Sequence, residues 1–444
     1  MKSIEEIITK ERLDKLRILR EQAREAVYKE AMPIVGKRAV EELREFYNMY
    51  DERLYIWLAK LWDPEVGAFY YSNSARDTEG FLPDIESTVQ ATVRLGNGGS
   101  YNFYSEDGRY HDMPAKMRRD IVNFILSCQD PDGYFYNSQW GKEVIASRRG
   151  RDLGWARRFL TESHLEPKYL MPFKRDADGN KSKSLPEYLQ DLDAFKEKLA
   201  EFDLSTRSYH IGNWIDAQTS QIKAAGPEFV ETLVYWLNSH QRSDNGLWEA
   251  QINYASVNGL MKISGAYPGL GSTIPNAILG AKSAIKACLS DEPVTFVCEV
   301  YNPWIALRNT FKALPNDIDP KERKAVRDVI WENTSDLIRV TREKLMVCRC
   351  DDGTFSYFKD CSADRSQGAP VAVPGTKEGD VNASGIASNG TPNCMCVALG
   401  IPKVPVFTPE DGELFFEIIE NASPIVKKYE NPGMEILPEA YRNK

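Results

Sequence analysis

One short pattern recurs four times along the 444-residue chain, and it narrows what the chain can fold into. The copies read WDPEVGAFYYS (62–72), CQDPDGYFYNS (128–138), QRSDNGLWEAQ (241–251) and CRCDDGTFSYF (348–358). Each places an acidic or Asn/Asp pair before a Gly, then one variable residue, then an aromatic ring. Each also follows an apolar run of helical spacing. The glycines, Gly67, Gly133, Gly246 and Gly353, stand 66, 113 and 107 residues apart. Half of either longer interval approaches the shorter one, so a unit of about 50–65 residues runs along the chain, with two copies whose turn has decayed. Repeats of that size build stacked or closed arrays of supersecondary units.

Two kinds of helix flank the turns. The segments ahead of them carry apolar residues at helical spacing between charges, as in Val40-Leu43-Phe46-Tyr47-Tyr50-Leu54-Trp57-Leu58-Leu61 and Phe229-Leu233-Trp236-Leu237. NAILGAKSAIKACL (276–289), the run 321–346 and FFEIIENASPIVKKY (415–429) extend this class. The segments behind the turns are DIESTVQATVRL (84–95), RDLGWARRFL (151–160), GNWIDAQTSQIKAA (212–225), NYASVNGLMKIS (253–264), CEVYNPWIALRNTF (298–311) and GDVNASGIASNG (379–390). These are richer in Ala, Gly and Ser and keep their polar residues in the first turns. Small residues let helices approach closely, as an inner ring requires, whereas one wet face suits an outer ring.

The expected fold is therefore all-α: an α/α toroid of about six helical hairpins. It spans residues 36–444 as a single domain and follows an N-terminal helical extension at 1–35. In each turn the Gly is expected in the left-handed conformation that stops a helix, with the Asp or Asn side chain binding the turn backbone. The aromatic ring fills the gap to the next hairpin. Strand content is expected to be minor, confined to pieces such as FSYF (355–358).

ILSCQDPDGYFYNSQWG (125–141) and LNSHQRSDNGLWE (237–249) resemble the QW-type repeat of terpenoid cyclase and protein prenyltransferase toroids, a helix followed by Q-x-x-D-G-x-F/W. The resemblance covers the repeat turns and implies the toroid, while chemistry has to be argued from the site. The family's catalytic patterns do not map onto this chain. The cyclase D-x-D-D is absent, and the nearest string, Asp191-Leu192-Asp193-Ala194, lacks its last Asp. The prenyltransferase Asp/Cys/His zinc set has no counterpart, since His111, His164, His210 and His240 adjoin no cysteine.

Composition removes further classes. A formal charge of −9 and a pI near 5.3 oppose a general nucleic-acid binder. The cluster Arg148, Arg149, Arg151, Arg157 and Arg158 reads as a solvated face. The N-terminus lacks a signal-peptide core and no run of 18 apolar residues occurs, which points to a cytoplasmic chain without membrane contact. Eight cysteines are too few for a disulfide scaffold. Cys348, Cys350, Cys361, Cys394 and Cys396 gather late, but C-x-C spacing without a nearby His favours free thiols over a metal knuckle. Residues 176–187 match a calcium-type loop in oxygen spacing, yet Lys181 stands where Gly is needed, so the segment reads as a linker. Gly96, Gly98 and Gly99 lack a phosphate-loop Lys-Ser/Thr, so no nucleotide or other cofactor is expected.

In a ring of hairpins the first turns of the inner helices share one mouth. That would gather Asp84, Glu86, Trp214, Asp216, Tyr254, Asn258, Glu299, Tyr301, Asn302, Asp380 and Asn382, with Lys262 and Tyr267 deeper. An Asp at a helix start is also a common N-cap, so the group carries the argument rather than any single residue. Carboxylates, amides and rings suit the hydroxyls and C–H faces of sugars, whereas a polyene cyclase needs an apolar, ring-lined cavity. The expected substrate is a small molecule, an oligosaccharide or glycoside. Hydrolysis would draw its acid and base from Asp84, Glu86, Asp216, Glu299 and Asp380. β-Elimination on a uronide would instead use Tyr254 or Lys262 as base, with Asn258 and Tyr267 beside them. The insert CSADRSQGAPVAVPGTKEGD (361–380) is expected to fold over the mouth as a lid. An isoprenoid enzyme with unusual acids and a non-catalytic binder remain as alternatives.

Overall fold

A computed structural model describes residues 2–92, 113–172, 185–314 and 320–431. The chain is mostly helical with very little sheet. It opens with α1 (Ile4–Ile7), α2 (Lys10–Val35), α3 (Lys37–Tyr47) and α4 (Glu52–Lys60), then a two-residue ladder of β1 (Trp62–Asp63) and β2 (Ala68–Phe69). α5 (Asn73–Asp77), α6 (Ile85–Gln90), α7 (Ala115–Ser127) and α8 (Ala146–Glu162) follow. The middle of the chain holds α9 (Leu192–Ala200), α10 (Leu204–Ala225), α11 (Pro227–His240), α12 (Tyr254–Leu270), α13 (Ala277–Leu289) and α14 (Cys298–Lys312). After α15 (Pro320–Met346) a second ladder pairs β3 (Arg365–Ser366) with β4 (Ala369–Pro370). α16 (Val381–Gly385) then passes through a π-helical turn, Ile386–Gly390, into α17 (Thr391–Leu399), and α18 (Pro409–Glu420) comes last.

The repeated turn takes the expected backbone but does not stop the helices: α4, α7, α11 and α15 end at Lys60, Ser127, His240 and Met346, six or seven residues before their glycines. Gly67, Gly133, Gly246 and Gly353 all take positive φ, between 69° and 89°. Side-chain oxygens of Asp63, Asp132, Asn245 and Asp352 accept backbone N–H groups of the turns they belong to. The rings two residues beyond each Gly (Phe69, Phe135, Trp248 and Phe355) are buried. In the two Q-x-x-D-G-like copies the Gln amide closes the turn: Gln129 Nε2 donates to the Gly133 carbonyl and Gln241 Nε2 to that of Gly246. The glycines also serve packing. A Cβ on Gly246 would stand 2.2 Å from the Gly280 nitrogen of α13, and one on Gly133 2.2 Å from the Leu170 carbonyl oxygen.

Helices rich in small residues pack on one another: α6 on α8, α10 on α12, α12 on α14, α14 on α17, and α16 on α6. Gly212 and Gly259 explain the closeness at α10–α12, since a Cβ on either would collide with Lys262 or Ser208. The longer, half-wet helices lie behind them, with α15 on α3 and α13, and α18 on α4. α2 packs on α3, and its buried Arg24 donates to the carbonyls of Tyr47, Pro405 and Val406. Gly36, at φ +85°, turns the chain from α2 into α3. Among the described residues no helix is long and apolar enough to cross a membrane.

Two helix boundaries differ from expectation. α10 begins at Leu204 with Asp203 as its cap, not at Gly212, because a kink at Arg207 joins an extra N-terminal stretch to it. Trp214 therefore sits in the third turn and Asp216 in the fourth, rather than in the first. The last helix ends at Glu420 instead of continuing to Tyr429. Pro424 disfavours helical backbone at Ser423, and Lys428 and Tyr429 instead donate to the Asp77 carbonyl.

Candidate functional site

The strongest polar convergence lies where α6, α8 and the 361–380 segment meet. Asp84 caps α6 through the Ser87 amide, and Glu86 follows in the first turn; every residue of α6 is buried. Arg148 of α8, which is 0% exposed, donates to Asp84 at 2.7 Å and to Glu86 at 3.0 Å. It also reaches Asp152, one turn along its own helix, at 3.1 Å, and its guanidinium lies 4.3 Å from the Trp140 ring centre. Glu86 is saturated: Arg151, Trp155, Gln90 and the Ser366 hydroxyl all donate to it. Arg148 thus corrects the expectation of a solvated basic face, because three carboxylates hold it inside.

Two arginines against three carboxylates leave one negative charge too many. That excess falls on Asp152, whose Oδ1 stands 3.0 Å from Arg148 without accepting a hydrogen bond. Burial, together with Asp84 and Glu86, outweighs Arg148 there and lifts the Asp152 carboxyl to about 7. Glu86 is held below the ordinary value despite its burial, by Arg151, Arg148 and the Ser366 hydroxyl.

Asp380 joins this end of the molecule. It caps α16 through the Ala383 amide, accepts the Tyr357 amide and the Tyr71 hydroxyl, and is raised to about 7 by complete burial. Tyr71 lies within electrostatic reach of both Asp380 and Glu86, and its phenol is raised far above its usual value, chiefly by burial. The 361–380 insert covers the group. β3–β4 sets Ser366 on Glu86, the Pro370 carbonyl accepts the Trp140 indole N–H, and Ala363, Ala369, Val371 and Ala372 pack with Tyr71 and Trp140.

Carboxyls raised in the folded state bind protons that the unfolded chain has released, so their contribution is largest below about pH 4 and is lost as pH rises through 7. Glu86, being depressed, contributes above its unfolded value and loses that only in acid. In the window from pH 5 to 7 Asp152 and Asp380, each worth up to about 1.4 kcal/mol per pH unit, set the slope, and the burial-raised Glu378 and Asp411 push it the same way. Urea melts should show stability falling across that window; a flat or rising profile would refute the assigned protonation.

Other expected residues lie elsewhere on the helices rich in small residues. Asn302 donates to Asn258 across α12–α14 at 2.9 Å. Glu299 folds back to accept the Thr295 and Phe296 amides ahead of α14. The Tyr301 ring abuts Gly390, and its hydroxyl meets the Cys394 thiol. Asn382 is half-buried in the first turn of α16, and Lys262 is half-buried against Gly212. Tyr254 accepts from Lys344 at 2.6 Å and donates to the Glu292 carbonyl, while Tyr267 donates to Asn238 at 2.6 Å. Thirteen residues of helix, about 20 Å, separate those two tyrosines. Asp216 is exposed, and Trp214 packs edge-on to Phe202.

The structure therefore brings Asp84, Glu86 and Asp380 to one end, pairs Asn258 with Asn302, and leaves Asp216, Tyr254 and Tyr267 apart. Sequence reasoning missed Asp152, Tyr71 and Ser366, and misplaced Arg148. The available signal was the Arg148/Asp152 pair at i, i+4, with Trp155 one further turn of the same face. The eight cysteines are free thiols, and the described residues contain no group of three or more metal-ligating side chains. Gly96, Gly98, Gly99, His111 and residues 176–184 of the calcium-like string lie outside the described residues. No protein-family model matches this chain, nor does any curated protein or solved structure.

Proposed function

We propose that the chain is an α/α toroid whose inner ring carries a glycan- or glycoside-cleaving site, working by hydrolysis. Neighbour packing through α6–α8, α10–α12, α12–α14, α14–α17 and α16–α6 supports the ring. So does the contact of the Gly353 turn with Arg53 near the opposite end of the chain. The observation that carries the activity is the gathering of Asp84, Glu86 and Asp380 with Asp152 beneath the 361–380 segment.

Glycoside hydrolysis needs one carboxyl that keeps its proton at neutral pH and one that stays ionised. Asp380, raised to about 7, would protonate the leaving oxygen, and ionised Glu86, once the Ser366 hydroxyl leaves its Oε2 as the 361–380 segment lifts, would attack or activate water. Trp140 and Tyr71 supply aromatic faces, and the 361–380 segment would lift for substrate entry and reclose to exclude water. Elimination is less well served, because the Tyr254 and Tyr267 hydroxyls are committed to Lys344, the Glu292 carbonyl and Asn238.

Purified protein should be assayed against a panel of aryl glycosides and oligosaccharides. Asp380→Asn and Glu86→Gln should each lower kcat about 10²–10⁴-fold on the substrate found, with circular dichroism unchanged. Full activity in either variant, or no turnover of any glycoside by the parent protein, would sink the reading.

A further inference from the structure

The inner face of α12 and α14 carries three cations that no acidic side chain answers among the described residues. Arg308 is half-buried, and its guanidinium donates only to the neutral Asn309, at 3.1 and 3.3 Å. Lys312 follows one turn later and is exposed; its ammonium is lowered by partial desolvation and by Arg308. Lys262 makes no hydrogen bond or ion pair among the described residues. By contrast, Arg148, Arg20 and Arg349 are held by carboxylates.

Helix register brings the three together. Asn302 bonds Asn258, and Asn309 donates to the Met261 carbonyl at 2.9 Å, so α12 and α14 run side by side in parallel. The less buried positions of α12 (Ala255, Asn258, Lys262, Gly265 and Gly269) form one stripe at helical spacing. Tyr301, Arg308 and Lys312 form the matching stripe on α14. Cys394 ties them together, since its thiol meets Tyr301 and feels both Arg308 and Lys312. Like-charged groups cost energy to hold together, the more so in a chain of net charge −9 that has acids to spare.

We infer that Lys262, Arg308 and Lys312 bind an anionic group of the substrate, such as a carboxylate, sulfate or phosphate, below the Asn258–Asn302 pair. Combined with the glycan reading, on which the sugar part of the inference rests, the substrate is an acidic oligosaccharide. Length supports an oligomer. Cys298, whose thiol meets the hydroxyl of Tyr357, the residue whose backbone amide donates to Asp380, lies ten residues from Arg308, about 15 Å along the helix. That distance exceeds one sugar ring.

The test is binding of four probes, a trigalacturonide, a sulfated tetrasaccharide, neutral cellotriose and inorganic pyrophosphate, by thermal shift and calorimetry. We expect at least one acidic oligosaccharide to bind and cellotriose not to. Arg308→Gln/Lys312→Gln should weaken that binding about 10- to 100-fold, since charge-assisted hydrogen bonds are lost. The unliganded double variant should melt at or above the parent temperature, because unanswered like charges have been removed. Binding of cellotriose as tight as that of the acidic sugars, or an unchanged affinity in the double variant, overturns the anion inference and leaves the glycan reading standing. Pyrophosphate binding without any sugar supports the cation site and overturns the glycan reading. A double variant that melts well below the parent, or no binding by any probe, overturns the inference.

Discussion

Arg148→Met should destabilise the protein by about 3–5 kcal/mol at pH 7.5, the cost of leaving a buried charge group without its partner. Arg148 is fully buried and answers Asp84, Glu86 and Asp152 at once. Met fills most of the side-chain volume, so the loss would reflect charge rather than a cavity. Without the guanidinium, Glu86 would lose one of the charges that hold it down and be pushed up in the folded state. A raised carboxyl is tolerated below its unfolded pKa and penalised as pH rises, so the gap to the parent should narrow toward pH 5. Asp152→Asn should behave in the opposite way. It removes the carboxyl that exceeds the two available arginines, so stability at pH 7.5 should hold or improve. Equal losses from the two substitutions in urea melts would show that the cluster is not one negative charge in excess.

The same cluster shows where a sequence stops being readable. The four turns were legible because their information is local: a Gly that must take positive φ, an Asp or Asn beside it, and a ring two residues on. The six small-residue segments were legible as helices for the same reason. The Arg148 contacts to Asp84 and Glu86 join residues 64 and 62 positions apart, and no periodicity marks them. Arg148 lies among four other arginines, and only tertiary packing selects the one that goes inside. Tyr254 was placed at the mouth because it opens α12, but polarity does not reveal the rotational phase of a helix. Its hydroxyl turns toward Lys344 of α15. Asp216 was lost to a boundary error: the helix was started at Gly212, yet Asp203 caps it and an extra stretch, 204–211, is joined to the rest of α10 through a kink at Arg207. The lid expectation rested on loop length and composition, and the contacts of Ser366 and Pro370 with Glu86 and Trp140 were beyond reach of either.

Gly246→Ala tests whether the repeated turn docks on the following helix or needs its glycine for backbone conformation alone. At φ +69° an alanine costs about 1–2 kcal/mol, the ordinary penalty for an L-residue in left-handed backbone. If the turn touched nothing beyond itself, the cost would stop there. The new methyl, however, would stand 2.2 Å from the Gly280 nitrogen and 2.8 Å from the Asn276 carbonyl oxygen, both backbone atoms at the start of α13. Relieving that overlap means moving one hairpin away from the next, which adds about 1–3 kcal/mol. The expected total is about 2–5 kcal/mol, with loss of the Gln241 side-chain bond to the Gly246 carbonyl as part of the rearrangement. Gly141 supplies the internal standard, since its φ is +64° but nothing lies within 4 Å of the point where a methyl would stand. Gly141→Ala should therefore cost about 1–2 kcal/mol, and Gly133→Ala, facing the Leu170 carbonyl at 2.2 Å, should track Gly246→Ala. Chemical denaturation of the three variants decides the matter. If all three lose the same stability, backbone conformation alone accounts for the glycines, and the turn contributes nothing to how successive hairpins dock.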